Sequence, residues 1–159
     1  MSLDLARAHL ARHGLAERII LTEESAATVE LAAAALGVEP ARIAKTLSFR
    51  GTEPGTAILV VLAGDARLDN GAFKATFGLK ARMLGGDEVE RLTGHAPGGV
   101  CPFGNPDTAT VHLDESLRRF TSVLPACGSP NSAIELTPAQ LEEITGHRGW
   151  VDVSARSPR

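Results

Sequence analysis

Cysteine is scarce in this chain of 159 residues. The two present, Cys101 and Cys127, stand apart with no Cys-x-x-Cys or Cys/His spacing, which excludes a disulfide framework and gives no sign of a zinc site. Both are expected as reduced thiols. Long apolar runs are lacking as well. The stretch from Ala57 to Ala63 is much too short to cross a bilayer, and Met1-Ser2-Leu3-Asp4 opens no charged-then-apolar leader, so the expectation is a cytoplasmic protein without membrane contact. There is no surplus of positive charge: the formal net charge is −3, and the molecule as a whole offers no field of the kind that dominates nonspecific nucleic-acid binding. Any RNA contact has to be local. Arg42, Lys45, Arg50, Arg67, Lys74, Lys80 and Arg82 form a basic subset that reads equally as ordinary solvated charge. The familiar catalytic signatures are missing too: no Gly-x-Ser-x-Gly elbow, no Walker sequence and no dinucleotide fingerprint. The five histidines lack metal-binding spacing. His9 and His13 fall four apart on one helix face, but without a third ligand they read as an exposed pair. Neither a metal nor a cofactor is implied.

What is present fits one globular domain. Apolar residues make up 43% and charged residues 22%, far from the depleted composition of disordered chains. The leucines and alanines from Leu3 onward predict a first helix to about His13, ended by Gly14. A short strand is expected at Arg18 to Leu21. Ser25 is a plausible cap for a helix from Ala26 to Leu36, with Gly37 as its terminator and Pro40 opening one more turn. Thr46 to Phe49 and the doubly apolar run Ala57 to Ala63 read as a hairpin at the core, joined through the turn Gly51 to Gly55. Helices are expected at Asp69 to Phe77 and Asp87 to Thr93, each followed by glycine, with an extended segment at Ala81 to Leu84 between them. Strands follow at Thr110 to Leu113, Ser122 to Ala126, Ser132 to Leu136 and Trp150 to Val153. Thr137-Pro138-Ala139-Gln140 carries the cap, proline and glutamine of a helix start, with Gly146 beyond the helix end. Connections too short for parallel crossovers point to an α+β fold with a mixed, curved central sheet and surrounding helices. The expected domain spans 1–154, and 155–159 reads as a loose tail.

Three segments could carry chemistry. Thr93 to Gly104 packs four glycines and two prolines into twelve residues. Such a loop can hold successive N–H groups in one rigid concavity, as a carbonyl oxygen developing negative charge requires; a tight connector would have a similar composition. Lys45 opens a strand, where an ammonium over a cleft would bind phosphate or a carbonyl oxygen as a point charge. Gly128-Ser129-Pro130-Asn131-Ser132 is a turn whose amide and hydroxyls could recognise polar parts of a ligand. Cys101, next to Pro102, would be a nucleophile only beside a base, and otherwise reads as a small buried residue.

In order and separation these segments resemble the YbaK and prolyl-tRNA-synthetase-associated editing family. Ile43-Ala44-Lys45-Thr46-Leu47 is similar to its lysine-bearing strand entry, Thr93 to Gly104 to its glycine- and proline-rich loop, and Gly128 to Leu136 to its late turn and strand. Gly64-Asp65 and Trp150-Val151-Asp152-Val153 also fit, so the resemblance runs from about residue 15 to 153. It implies a trans-acting deacylase that hydrolyses the ester between a wrong amino acid and tRNA, often tRNA for proline. Its implied partners are the aminoacyl-tRNA acceptor end and, as an open question, prolyl-tRNA synthetase. Carried over by position, Lys45, Gly98 and Gly99 would be catalytic, and Val100, Pro102, Gly128, Ser129, Asn131, Asp65 and His95 would contact substrate. The sequence departs from cysteine-clearing members at Ala126 and Ala133, which counts against cysteine specificity and leaves alanine, serine, threonine or a small nonprotein amino acid open beside cysteine as the acyl group. A noncatalytic module holding an aminoacyl nucleotide is the main alternative, and a hydrolase dependent on Cys101 a weaker one.

Overall fold

The computed structural model describes residues 2–23, 28–145 and 149–156. In chain order its elements are α1 (Ser2–Ala11), β1 (Ile20–Leu21), α2 (Val29–Leu36), β2 (Ile43–Arg50), β3 (Ala57–Ala63), β4 (Ala66–Leu68), α3 (Asn70–Phe77), α4 (Gly86–Thr93), β5 (Ala109–Asp114), β6 (Leu124–Pro125), β7 (Ser132–Ala133), α5 (Pro138–Thr145), β8 (Trp150–Val151) and β9 (Ser154–Arg156). Short 3-10 turns occupy Ala16–Arg18, Pro40–Arg42 and Glu115–Arg119.

All seven residues of β3 are buried. A strand apolar on both sides needs cover on both sides, and β3 accordingly sits at the centre of a five-stranded sheet in the order β6-β2-β3-β5-β8. It pairs antiparallel with β2 and parallel with β5, while β6 and β8 add parallel edges. The sheet is therefore mixed, and the fold is a single α+β domain. Phe49 and Phe73 pack against each other inside the core, their ring centroids 4.7 Å apart.

Helix boundaries follow the capping chemistry. Asp69 accepts from Ala72 N–H at the start of α3, and Gly78 ends it at φ 77°. At α5 Thr137 and Gln140 exchange the two bonds of a capping box, 2.9 and 3.1 Å, so two otherwise orphaned donors are satisfied. For α2 the observed cap is Thr28, which accepts from Leu31 N–H. The expected start at Ser25 and Ala26 lies outside the described residues, as do Gly146 and His147.

Several expected strands are shorter. Only Leu124–Pro125, Ser132–Ala133 and Trp150–Val151 pair regularly, and Arg18 belongs to a 3-10 turn rather than to β1. The sequence reading missed β4 and β9, which pair antiparallel from Ala66↔Arg156 to Leu68↔Ser154. Residues 155 and 156, expected in a loose tail, are thus part of a strand. Buried Asp114 anchors this closure, accepting from Val153 N–H at 2.8 Å, from Ser154 Oγ at 2.6 Å and from Ser116 N–H at 3.0 Å.

Candidate active site

The cavity lies along one edge of β2. β6 covers that edge only at Ile43 and Ala44. Further on, residues 82–84 cover it again, through an isolated Phe49↔Met83 bridge and the bonds Leu84 N–H to Ser48 O and Arg50 N–H to Arg82 O, 3.0 and 2.9 Å. Between these flanks a pocket of about 360 Å³ opens, within the range of small-molecule sites. Six consecutive residues, Ile43 to Ser48, line it. Residues that alternate between sheet faces all contribute, so the pocket faces the strand's edge rather than one face.

Across from β2 the wall is made by Pro97, Gly98 and Val100 of the glycine-rich loop and by Ala126, Ser132 and Ala133. α2 closes it with Val29, Ala32 and Leu36, and Met83 stands at its rim, 58% exposed. Lys45 is half-buried, and its Nζ donates to Gly64 O at 3.3 Å. Burial pushes its amine below the ordinary lysine value, while the Asp65 and Glu30 carboxylates pull the other way. An ammonium in such a place is poorly solvated and acts over short range on any charge developing beside it.

The loop is rigid for identifiable reasons. Gly98 takes φ 90°, a region closed to most side chains. Gly99 is needed for space instead: a Cβ there would lie 2.8 Å from the carbonyl of Gly128 and 2.9 Å from the nitrogen of Ser129. Two histidines hold the far end. His95, fully buried, bonds Phe103 O through Nε2 at 2.7 Å. His9 Nδ1 accepts from Gly104 N–H at 2.7 Å, which leaves its Nε2 protonated to donate to Ile144 O at 2.8 Å. Asn105 Nδ2 donates to the carbonyls of Thr93 and Cys101. His9 is therefore a tie between α1, the loop and α5, not a member of an exposed pair.

The structure brings Lys45, Gly98 and Val100 into the lining of one cavity, Lys45 on the β2 side and the two loop residues across from it. The other expected site residues stand behind it. Gly99 N–H closes a turn on Ala96 O at 3.0 Å and is committed there. Pro102 is buried beneath the loop and Gly128 backs Gly99. Ser129 Oγ bonds Ser132 Oγ at 2.7 Å and Asn131 Oδ1 at 3.0 Å, while Asn131 Nδ2 reaches Thr22 O at 3.2 Å, so this pair shapes the turn that presents Ser132. Asp65 is paired with Arg119 through both carboxylate oxygens. His95 is sealed from solvent, with Nδ1 unpartnered among the described residues. Cys101 is fully buried, 3.4 Å from His95 Nε2, and burial drives its thiol far above the ordinary range, the state of an inert thiol. Of the candidate turn, Ser132 reaches the cavity wall; sequence reasoning missed the wall residues Thr46, Ser48, Met83 and the α2 face.

The edge cavity of this α+β domain thus combines a half-buried lysine with a loop rich in glycine and proline. The sequence model of the aminoacyl-tRNA editing domain matches residues 23–144, and the chain belongs to that family. It is 52% identical over 153 residues to the uncharacterized protein YwhH of Bacillus subtilis (strain 168), covering 96% of this chain and 97% of that one. It is 30% identical over 119 residues to EbsC of Enterococcus faecalis (strain ATCC 700802 / V583), provisionally named a Cys-tRNA(Pro)/Cys-tRNA(Cys) deacylase, covering 74% of this chain and 72% of the other. A crystal structure provisionally described as a trans-editing enzyme for prolyl tRNA synthetase superimposes with a TM-score of 0.85 at 32% identity, over 97% of each chain. No helix among the described residues is long and apolar enough to cross a membrane.

Proposed function

We propose that this protein hydrolyses the ester joining a small, wrongly attached amino acid to tRNA, in trans and in the cytoplasm, with tRNA for proline as the first acceptor to test. The observation that carries the reading is the shared cavity of Lys45, Gly98 and Val100. Among the described residues the N–H groups of Gly98 and Val100 have no protein acceptor, so both are available to an ester carbonyl.

In this reaction a water oxygen attacks the carbonyl carbon, the bond from that carbon to the ribose oxygen breaks, and the ribose oxygen leaves with a proton derived from the water. Negative charge gathers on the carbonyl oxygen in between. Main-chain donors and the Lys45 ammonium are fixed in place before that charge appears, and one such donor supplies about 3–4 kcal/mol of barrier lowering. A side-chain nucleophile is unnecessary, in keeping with the sealed Cys101.

The wall supports a small uncharged acyl side chain. Ala32, Ala126 and Ala133 leave room without charge, and Ser48 and Ser132 add hydroxyls. A synthetase pocket rejects smaller or equal-sized residues poorly, which is the task a second hydrolytic pocket performs. The relatives named for Cys-tRNA and for prolyl-tRNA synthetase support proline tRNA and that synthetase as partners. The test is single-turnover deacylation of tRNA for proline carrying cysteine, alanine, serine or threonine. Release of at least one of these well above the spontaneous rate is expected. Tight binding of a nonhydrolysable aminoacyl-adenosine with no release from any substrate would overturn the hydrolase in favour of a binding module.

A further inference from the structure

The geometry points to a recognition element in the main chain of Thr46, which takes up the aminoacyl group as if it were a one-residue strand; this rests on the hydrolase reading above. In an antiparallel pair the N–H and C=O of a residue point the same way, and successive residues alternate between the two neighbours. The β2–β3 register runs unbroken from Ala44↔Ala63 to Arg50↔Ala57. On the opposite side, Ser48 O accepts from Leu84 N–H and Arg50 N–H donates to Arg82 O. Ser48 and Arg50 therefore present their polar groups away from β3, and by alternation so does Thr46. On that outer edge the β6 pairing stops at Ala44.

Thr46 thus holds one N–H and one C=O aimed into the gap where the cavity opens, and neither has a partner among the described residues. An unpaired strand edge is a template for another backbone. Here it is bounded at both ends, by β6 and by residues 82–84, so it has room for one residue and no more. An aminoacyl ester has the matching groups: its carbonyl oxygen accepts from Thr46 N–H, and its α-ammonium donates to Thr46 O. The same carbonyl keeps a second lone pair for the loop amides. Any aminoacyl group satisfies this pairing, which separates recognition of the amino-acid backbone from selection by side-chain size against α2.

The test removes only the outward N–H. Proline is tolerated at an edge where the lost N–H is not part of the ladder, so Thr46→Pro should fold. A main-chain ester at position 46, introduced as the α-hydroxy analogue of threonine, makes the same deletion without fixing φ. Thr46→Ala is the control that keeps the main chain intact. Single-turnover deacylation should fall roughly 100-fold or more in the proline and ester variants, the loss typical of one missing oxyanion donor, and only a few-fold in Thr46→Ala. If Thr46→Pro does not fold, the ester variant decides. An ester variant with wild-type turnover, or a Thr46→Ala loss as large as the ester's, overturns the assignment alone. No turnover by the wild-type protein on any mischarged tRNA overturns the hydrolase reading and this pairing together.

Discussion

Replacing Gly99 by alanine tests whether the loop's position against the Gly128 turn governs catalysis. The added Cβ would meet Gly128 C and O at 2.8 Å and Ser129 N at 2.9 Å. Carbon contacts become comfortable near 3.5 Å, so the two backbones must part by roughly 0.7 Å. Neither can yield by a side-chain rotation. Overpacking of this kind costs about 1–3 kcal/mol, and in a domain of this size each kcal/mol lowers the melting temperature by roughly 2–4 °C. The melt should therefore fall by a few degrees, while a displacement approaching 1 Å between Lys45 and the amides of Gly98 and Val100 costs about 100-fold in rate. Differential scanning calorimetry and single-turnover deacylation read the two effects separately. Gly55→Ala, at φ 80° but with nothing near the added atom, should strain the fold without slowing deacylation. If Gly99→Ala melts and turns over like the wild type, the packing argument is wrong.

Two further outcomes follow from charge. Burial lowers the pKa of His9 and of His95 below the ordinary histidine value, against the upward pull of the Ile144 and Phe103 carbonyls, and Arg12 and His13 lower His9 further. Each therefore takes up a proton less readily in the fold than in the unfolded chain. Their contribution is complete above about pH 6.5, the unfolded value, and is lost as the pH falls through the folded values. Urea midpoints measured from pH 8 to pH 5 should decline below 6.5, and a rising midpoint there would refute it. Asp65 raises the Lys45 pKa against burial, so Asp65→Asn should shift the alkaline limb of the pH–rate profile to lower pH; an upward shift would contradict the electrostatic assignment.

Much of the fold was legible in local signals. The unbroken apolar run Ala57 to Ala63 marked a central strand because no face of it was offered to water. The Thr137–Gln140 box marked a helix start because its two bonds span only three residues. β4 and β9 were illegible for the opposite reason: three-residue strands have little propensity of their own and exist through each other and through Asp114. The site divides along the same line. Lys45 and the loop were visible as composition, whereas the separate tasks of Gly98 and Gly99 depend on how closely residue 128 approaches from a distant part of the chain. Thr46 gave no signal, since its role lies in a strand edge left bare between two partners.

The most direct measurement is single-turnover deacylation by Lys45→Ala across tRNA for proline charged with cysteine, alanine, serine and threonine, with thermal unfolding recorded in parallel. The expected result is a loss of roughly 100-fold or more on whichever substrate the wild type clears, with the melt preserved. Wild-type turnover by a folded Lys45→Ala protein would contradict the account.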